Sequence, residues 1–379
     1  IRALAHQRNR FEALAPAGAS VVSRAGRILA ACVLAGTFAL SAPAAAFAEV
    51  LESDEIGNKT VAARGLSADA CPDIEATHAM LVGSDGTVYF SRDVNAEVKI
   101  ASLTKIMTAV VALENAPLDL TVTVDNEAAT VGESSAGLLE GDTMSLETAL
   151  YALMVPSGND AGIAIAKSVG AHMSGDASTG YDTFIAAMNA KAADLGMSHS
   201  VYTNPHGLDF DAFGDENLHS SARDVATLVS YAMQNDTFRG IVDAGSTTIT
   251  VTSADGTARS VALQTTDELM GVYDGICGVK TGTTDDAGYC FAGAVSRDAG
   301  EFYSVVLDSP SSDERFSDTV ALMDWAYANI AQRSLVNSDQ YVEYLGAHVP
   351  LVAKVAHNDW VDVTVDATVA DPDLTANVF

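Results

Sequence analysis

The chain has 379 residues, 48% of them hydrophobic, which is enough for one large domain or two ordinary ones around a sizeable core. Its 20 Lys and Arg stand against 50 Asp and Glu, a formal net charge of −30. That excludes the basic footprint of a nucleic-acid binder, and an anionic membrane surface would repel such a chain.

In chain order, Arg24 and Arg27 precede an apolar run from Ile28 to Ala42, followed by Ala46-Phe47-Ala48. A basic start, an apolar run too short for a comfortable membrane span and a small-x-small site predict a signal peptide over 1–48, cleaved after Ala48. Residue 1 is Ile, and the chain is expected to be truncated at both ends. Residues 49–75 are mixed, acidic and aperiodic, and are expected to be a linker. Ala79 to Val82, the turn residues 83–86 and Thr87 to Phe90 predict strand, tight turn and strand. Helical apolar spacing covers 102–115, and helices also fit 145–155, 159–169, 181–195, 221–235 and 314–331. A hairpin is expected over Thr247 to Leu263 around Asp255-Gly256, and three strands over Ile276–Thr281, Tyr289–Val295 and Phe302–Leu307.

Strands at both ends of 76–331 and helices between them imply an α+β fold, with one sheet completed by the two ends of the domain. Beyond it, 332–379 is β-rich (Tyr341–Val352, Ala353–Val355, Trp360–Val369) and is expected to open an all-β domain that is cut short. Neither Cys-x-x-Cys nor His-Glu-x-x-His occurs, so a zinc site has no sequence support. Cys32 lies in the leader. The remaining Cys71, Cys277 and Cys290 are an odd number, leaving at least one thiol unpaired.

Lysine is scarce, with seven in the chain, so its contexts are informative. Ser102 and Lys105, at i and i+3, share one helix face, with Ser102 of N-cap type. A hydroxyl there sits among unpaired backbone N–H groups at the positive end of the helix dipole, where an oxyanion is stabilised. Burial would lower the pKa of Lys105 and make it a base for the serine. Alone, the pair reads equally as a capping serine and a surface lysine. Ser157-Gly158-Asn159 reads alone as a turn after an apolar helix, and Lys280-Thr281-Gly282 as a strand end.

Together, Ser-x-x-Lys, Ser-x-Asn and Lys-Thr-Gly in this order form the penicilloyl-serine set. The chain resembles the low-molecular-mass penicillin-binding proteins, the serine-type D-alanyl-D-alanine carboxypeptidases. The resemblance is carried by Ile100 to Glu114, Pro156 to Ala161, Asn204 to Asp209, His219 to Asp224 and Lys280 to Tyr289, and spans roughly 76–331. It implies a β-lactamase/transpeptidase-like fold and an exported enzyme trimming D-Ala from peptidoglycan stem peptides with no metal or organic cofactor, and with β-lactam antibiotics as inhibitors. It further implies an extracellular or wall-associated location, with peripheral membrane association left open. Implied roles are nucleophile for Ser102, base for Lys105, proton relay for Ser157 and support of Lys105 and the substrate amide for Asn159. Ser102 and Thr283 amides would form the oxyanion hole. Lys280, Thr281, Gly282 and Arg315 would face the substrate carboxylate, Arg315 being read equally as a helix-surface residue. His206 is expected to be structural rather than catalytic. The runners-up are a D-alanyl-D-alanine endopeptidase and a serine β-lactamase. The latter is disfavoured by Ser-Gly-Asn in place of Ser-Asp-Asn and by the lack of Glu-x-x-Leu-Asn. A non-catalytic wall-binding module would lack the nucleophile or the lysine, and neither is missing. If the strands carrying Cys277 and Cys290 turn at Thr283-Thr284, the two thiols face each other and a disulfide would brace that edge; the pair reads equally as two small buried thiols.

Overall fold

The computed structural model describes residues 50–209, 217–334, 342–344, 347–349 and 352–356. It opens with β1 (Glu55–Ile56), β2 (Lys59–Thr60) and the one-turn α1 (Val61–Arg64), then the hairpin β3 (His78–Gly83) and β4 (Val88–Arg92). A helical region follows: α2 (Thr104–Asn115), β5 (Thr121–Thr123), α3 (Asn126–Thr130), β6 (Thr143–Ser145), α4 (Leu146–Met154), α5 (Asn159–Ser174), α6 (Gly180–Asp194), α7 (Ala222–Ala232) and α8 (Asp236–Val242). Next come β7 (Thr247–Thr252), β8 (Ala258–Leu263), β9 (Ile276–Thr284), β10 (Gly288–Arg297), β11 (Gly300–Ser309) and α9 (Ser312–Asn329). The described residues beyond α9 lie in β12 (Ile330–Ser334), β13 (Val342–Tyr344), β14 (Ala347–Val349) and β15 (Val352–Ala356), where β12 pairs with β15 and β13 with β14.

The main sheet is antiparallel in the order β2-β1-β4-β3-β11-β10-β9, so the two ends of the domain do complete one sheet. Its inner strands are apolar on both faces because both faces are covered. Met80, Val82, Ala292, Ala294, Val305 and Leu307 join the core of the helical region, while the alternating Leu81, Phe291, Val295, Phe302 and Val306 pack with Leu322, Met323 and Trp325 of α9. Helix α2 is buried from Thr104 through Ala112, all round rather than along one stripe, which makes it the central helix of the layer. The hairpin β7–β8 turns around Asp255-Gly256 as expected, but it joins a second sheet, β5-β6-β7-β8, whose three-residue members are too short to show a period.

Two expectations are corrected. Residues 49–75 were expected to form a linker, yet from residue 50 on the segment is built into the domain. Strand β1 pairs with β4, and Ile56, Val61 and Ile74 are buried. The Asp54 carboxylate, fully buried, takes a bidentate pair of bonds from Arg92: Nε to Oδ1 at 2.9 Å and Nη2 to Oδ2 at 2.7 Å. Arg92 Nη1 also donates to the Ile74 and Ala76 carbonyls, so one buried cation ties the segment down. Sparse apolar residues anchored by a partner 38 positions away leave no local pattern to read.

The Cys277–Cys290 disulfide that a turn at Thr283-Thr284 would have allowed is absent. Both thiols are free, and Cys71 is also free and buried. The β9–β10 hairpin closes at Thr284 and Gly288, not at Thr283-Thr284, so Cys290 pairs with Gly282, five residues along β9 from Cys277. At about 3.4 Å per residue that offset is roughly 17 Å, far beyond disulfide reach. Each sulfur instead donates to a backbone carbonyl, Cys277 to Ala294 and Cys290 to Ala287. The expected signal peptide over 1–48 and the predicted strand Trp360–Val369 lie outside the described residues.

Candidate active site

Ser102 sits in a single 3-10 turn, Ala101–Leu103, that feeds α2. The helix proper starts at Thr104, and Ser102 makes no capping bond. Its hydroxyl instead accepts from Lys105 Nζ at 2.8 Å. The turn is strained, for Ala101 takes φ +46°, a left-handed value that a side chain disfavours. It is held by the segment Asn204 to Leu208. Asn204 Oδ1 accepts from the His206 and Gly207 amides at 3.2 and 2.7 Å, and its amide group donates to the Leu208 carbonyl at 2.9 Å. Thr108 of α2 donates to the Pro205 carbonyl at 2.6 Å. Gly207, at φ +91°, lies so close that a Cβ there would collide with the Ala101 carbonyl. Gly207→Ala is therefore expected to destabilise the fold by about 2–4 kcal/mol and to slow acylation, read by urea unfolding and penicillin labelling; unchanged stability would contradict this packing.

Lys105 is fully buried, and all three of its ammonium donors are spoken for: Ser102 Oγ, Asn159 Oδ1 at 2.7 Å and the His206 carbonyl at 3.0 Å. Burial first, then the charge of Lys280, holds its pKa well below the usual lysine value, while Asp160 opposes them. A lysine brought toward neutrality within direct hydrogen-bond distance of a hydroxyl is equipped to take that hydroxyl's proton.

Asn159 opens α5, and its Nδ2 donates to the Gly132 carbonyl at 3.1 Å. Ser157, nearly buried, precedes it in a left-handed turn at φ +64°. Between them Gly158 has no room for a side chain, since a Cβ would lie 2.6 Å from both the Ala152 carbonyl and Asp160 Oδ1. An aspartate at 158 would not fit, which is the physical basis for Ser-Gly-Asn here. Asp160 is a residue to which sequence reasoning assigned no role. Buried in the first turn of α5, it accepts from the Ala136 and Leu138 amides at 3.0 Å each and from Ser135 Oγ at 2.6 Å. It thereby fixes the 135–138 loop, whose neighbour Ser134 accepts from the Asn159 amide at 2.8 Å. Its one sequence signal is an acid at a helix N-terminus.

Strand β9 passes the nucleophile turn at Gly282, where a Cβ would lie 2.8 Å from the Ile100 carbonyl and 3.2 Å from the Ser102 amide. Lys280 is buried, its Nζ donating to the Thr281 carbonyl at 2.9 Å. Burial and the Arg315 charge push its pKa down to about 7, with Asp267 opposing. Thr281 Oγ1 lies 2.6 Å from Thr266 Oγ1, and Thr284 donates to Asp209 at 2.6 Å. Arg315 is not a helix-surface residue. It is 7% exposed, and its Nη1 donates to Thr283 Oγ1 at 2.9 Å and the Gly282 carbonyl at 3.3 Å, while Nη2 donates to Ser312 Oγ at 3.1 Å. Among the described residues no group of three or more His, Cys, Asp or Glu is arranged to hold a metal ion.

His206 is buried, with Nδ1 accepting from the Leu208 amide at 3.2 Å. Burial, then Lys105, depresses its pKa to about 3, so it is neutral and serves the scaffold. The unfolded chain takes up this proton near pH 6.5 and the folded one near 3. Its stabilising contribution is complete above about pH 6.5 and is lost on acidification at roughly 1.4 kcal/mol per pH unit. His206→Gln should flatten the fall in unfolding free energy between pH 6.5 and 4; equal slopes in the two proteins would refute it.

A half-buried serine bonded to a buried lysine that an asparagine amide also holds, beside an edge strand with a second buried lysine and an arginine from α9, defines the class of serine acyl-transferases that carry the three penicilloyl-serine motifs. The family description of D-alanyl-D-alanine carboxypeptidases matches residues 65–311. The D-alanyl-D-alanine carboxypeptidase of Streptomyces sp. (strain K15) is 33% identical over 278 residues, 71% of this chain and 93% of that one. A D-alanyl-D-alanine endopeptidase of Pseudomonas aeruginosa is 30% identical over 247 residues, 63% of this chain and 73% of its own length. The crystal structure of the Streptomyces K15 DD-transpeptidase superposes with TM-score 0.63 at 31% identity, covering 68% of this chain and 98% of that one. The chain belongs to the D-alanyl-D-alanine carboxypeptidase family and is a serine-type peptidase.

Proposed function

We propose that this chain is an exported enzyme that removes the terminal D-alanine from peptidoglycan stem peptides through an acyl-enzyme on Ser102. The observation that carries the reading is the Ser102–Lys105–Asn159 contact, in which the fully buried Lys105 bridges Oγ of the half-buried Ser102 and Oδ1 of Asn159 at 2.8 and 2.7 Å. Lys105 in its neutral form takes the Ser102 proton as Oγ attacks the penultimate D-Ala carbonyl carbon. The oxyanion would be received by the amides of Ser102 and Thr283, a reading supported by the close approach of Gly282, next to Thr283 in the chain, to the Ser102 amide. Collapse breaks the amide bond, and the Ser157 hydroxyl passes a proton to the departing D-Ala nitrogen. Water then attacks the ester, giving its proton back along the same route and restoring Ser102. Asn159 steadies Lys105 and the substrate amide. Lys280 and Arg315 supply positive charge to the terminal carboxylate, which Thr281 binds by a hydrogen bond.

A β-lactam presents the same carboxylate beside a reactive amide and acylates Ser102 in place of the peptide. The apolar leader-like run before Ala48 supports export, and the enzyme would work outside the cytoplasmic membrane at the wall, with any membrane association peripheral. The test is release of free D-Ala from diacetyl-L-lysyl-D-alanyl-D-alanine by the chain from Glu49. Release abolished by prior benzylpenicillin is expected; a folded, penicillin-reactive protein that releases none would refute the carboxypeptidase reading. The endopeptidase named among its relatives supports a second reading with the same residues, favoured if cross-linked dimers are cut faster than the tripeptide.

A further inference from the structure

Asp267 lies on the segment between β8 and β9, outside every motif of the sequence, and is 8% exposed. Its Oδ1 accepts from the Leu269 amide at 2.9 Å, whereas Oδ2 is buried without a hydrogen-bond partner. A buried carboxylate oxygen left unpaired is costly, so its surroundings must compensate. Asp267 shares a small cavity with Thr266, Lys280 and Thr281, which Val155 and Val242 also line. The cavity volume is about 10 Å³, room for a single water at most, so little water can stand between the charges that line it. Thr266 completes the link, its hydroxyl 2.6 Å from that of Thr281 and its amide donating to the Val155 carbonyl at 3.2 Å.

The charges around Lys280 are otherwise mostly positive. Lys105 faces it from α2 and Arg315 from α9. Glu268 acts on Arg315 and Asp160 on Lys105, while Asp267 is the anion that acts on Lys280 itself. Arg315, like Asp267, keeps one buried polar atom, Nε, without a partner.

We propose that Asp267 is a positioning residue for the substrate's terminal carboxylate: across the small cavity it holds Lys280 in the ammonium form and so sets the alkaline limit of acylation. This rests on the reading that Lys280 and Thr281 receive that carboxylate. Burial raises the Asp267 carboxyl to about 6, and burial with Arg315 lowers Lys280 to about 7, so the two charges coexist in the neutral range where the enzyme would work. Removing the anion leaves the ammonium facing only cations. It then loses its proton at lower pH, and the subsite loses its attraction for a carboxylate.

The experiment measures the second-order rate of acylation by a fluorescent penicillin from pH 5 to 9 in the parent, Asp267→Asn, Asp267→Ser and Asp267→Glu. Parent and Asp267→Asn should agree within about threefold at pH 5.5, where Asp267 is itself protonated. They should diverge to about tenfold at pH 8.5, the variant's alkaline limb lying about one unit lower. Asp267→Ser, which removes the charge and leaves room for water, should show the same limb. Asp267→Glu should move it back toward the parent. Superimposable profiles, or a fall of equal size at every pH as a merely structural loss would give, overturn the proposal. Because penicillin acylation is the readout, the result is independent of whether the tripeptide is hydrolysed.

Discussion

Ser102→Ala should abolish both penicillin labelling and D-Ala release, a loss on the order of 10⁶-fold in turnover, the scale found when a hydrolytic serine is removed. The reason is local. The hydroxyl that Lys105 holds at 2.8 Å is the reacting atom of the proposed mechanism, and the oxyanion site beside it has no function without an attacking oxygen. The fold should be barely affected, since Ser102 makes no capping bond and its role in the turn is carried by backbone. A variant that still labels at a rate within tenfold of the parent would mean that another hydroxyl, Ser157 first among them, is the nucleophile.

Lys105→Arg is the second large effect. An arginine keeps the positive charge and the capacity to donate to Asn159 Oδ1 and the His206 carbonyl, but it stays protonated and cannot accept the serine proton. The rate of acylation should fall by about 10²–10⁴-fold, the range attributable to general-base catalysis. For Lys105→Ala the same chemical loss should be joined by about 1–3 kcal/mol of destabilisation, because two buried acceptors lose their donor. Stopped-flow labelling and urea unfolding separate the two terms. Near-parental acylation by the arginine variant would exclude Lys105 as the base.

Much of the site was legible because each part is encoded within a few residues. Ser102 and Lys105 are one helical turn apart, Ser157 and Asn159 flank one glycine, and Lys280 to Thr283 are contiguous. Tertiary packing only has to bring three short segments together. What was not legible depends on distant partners or on turn geometry. Asp54 finds Arg92 across 38 residues, so a segment with the composition of a linker proved to be part of the main sheet. The cysteine pairing failed on a shift of the β9–β10 turn toward Gly288, which moved the register by five residues. The start of α2 was misplaced because Ser102 spends its hydroxyl on Lys105 instead of on a cap. Asp267 carried no signal at all, since its significance lies in what the closing of β9 against the preceding segment buries with it.

The most direct test of the central assignment is to react the chain with benzylpenicillin, quench in acid, digest and locate the added mass by fragmentation. A single adduct of one penicilloyl group on Ser102, absent from Ser102→Ala, is the expected result. An adduct on Ser157 or any other residue, or none on a folded protein, would contradict it.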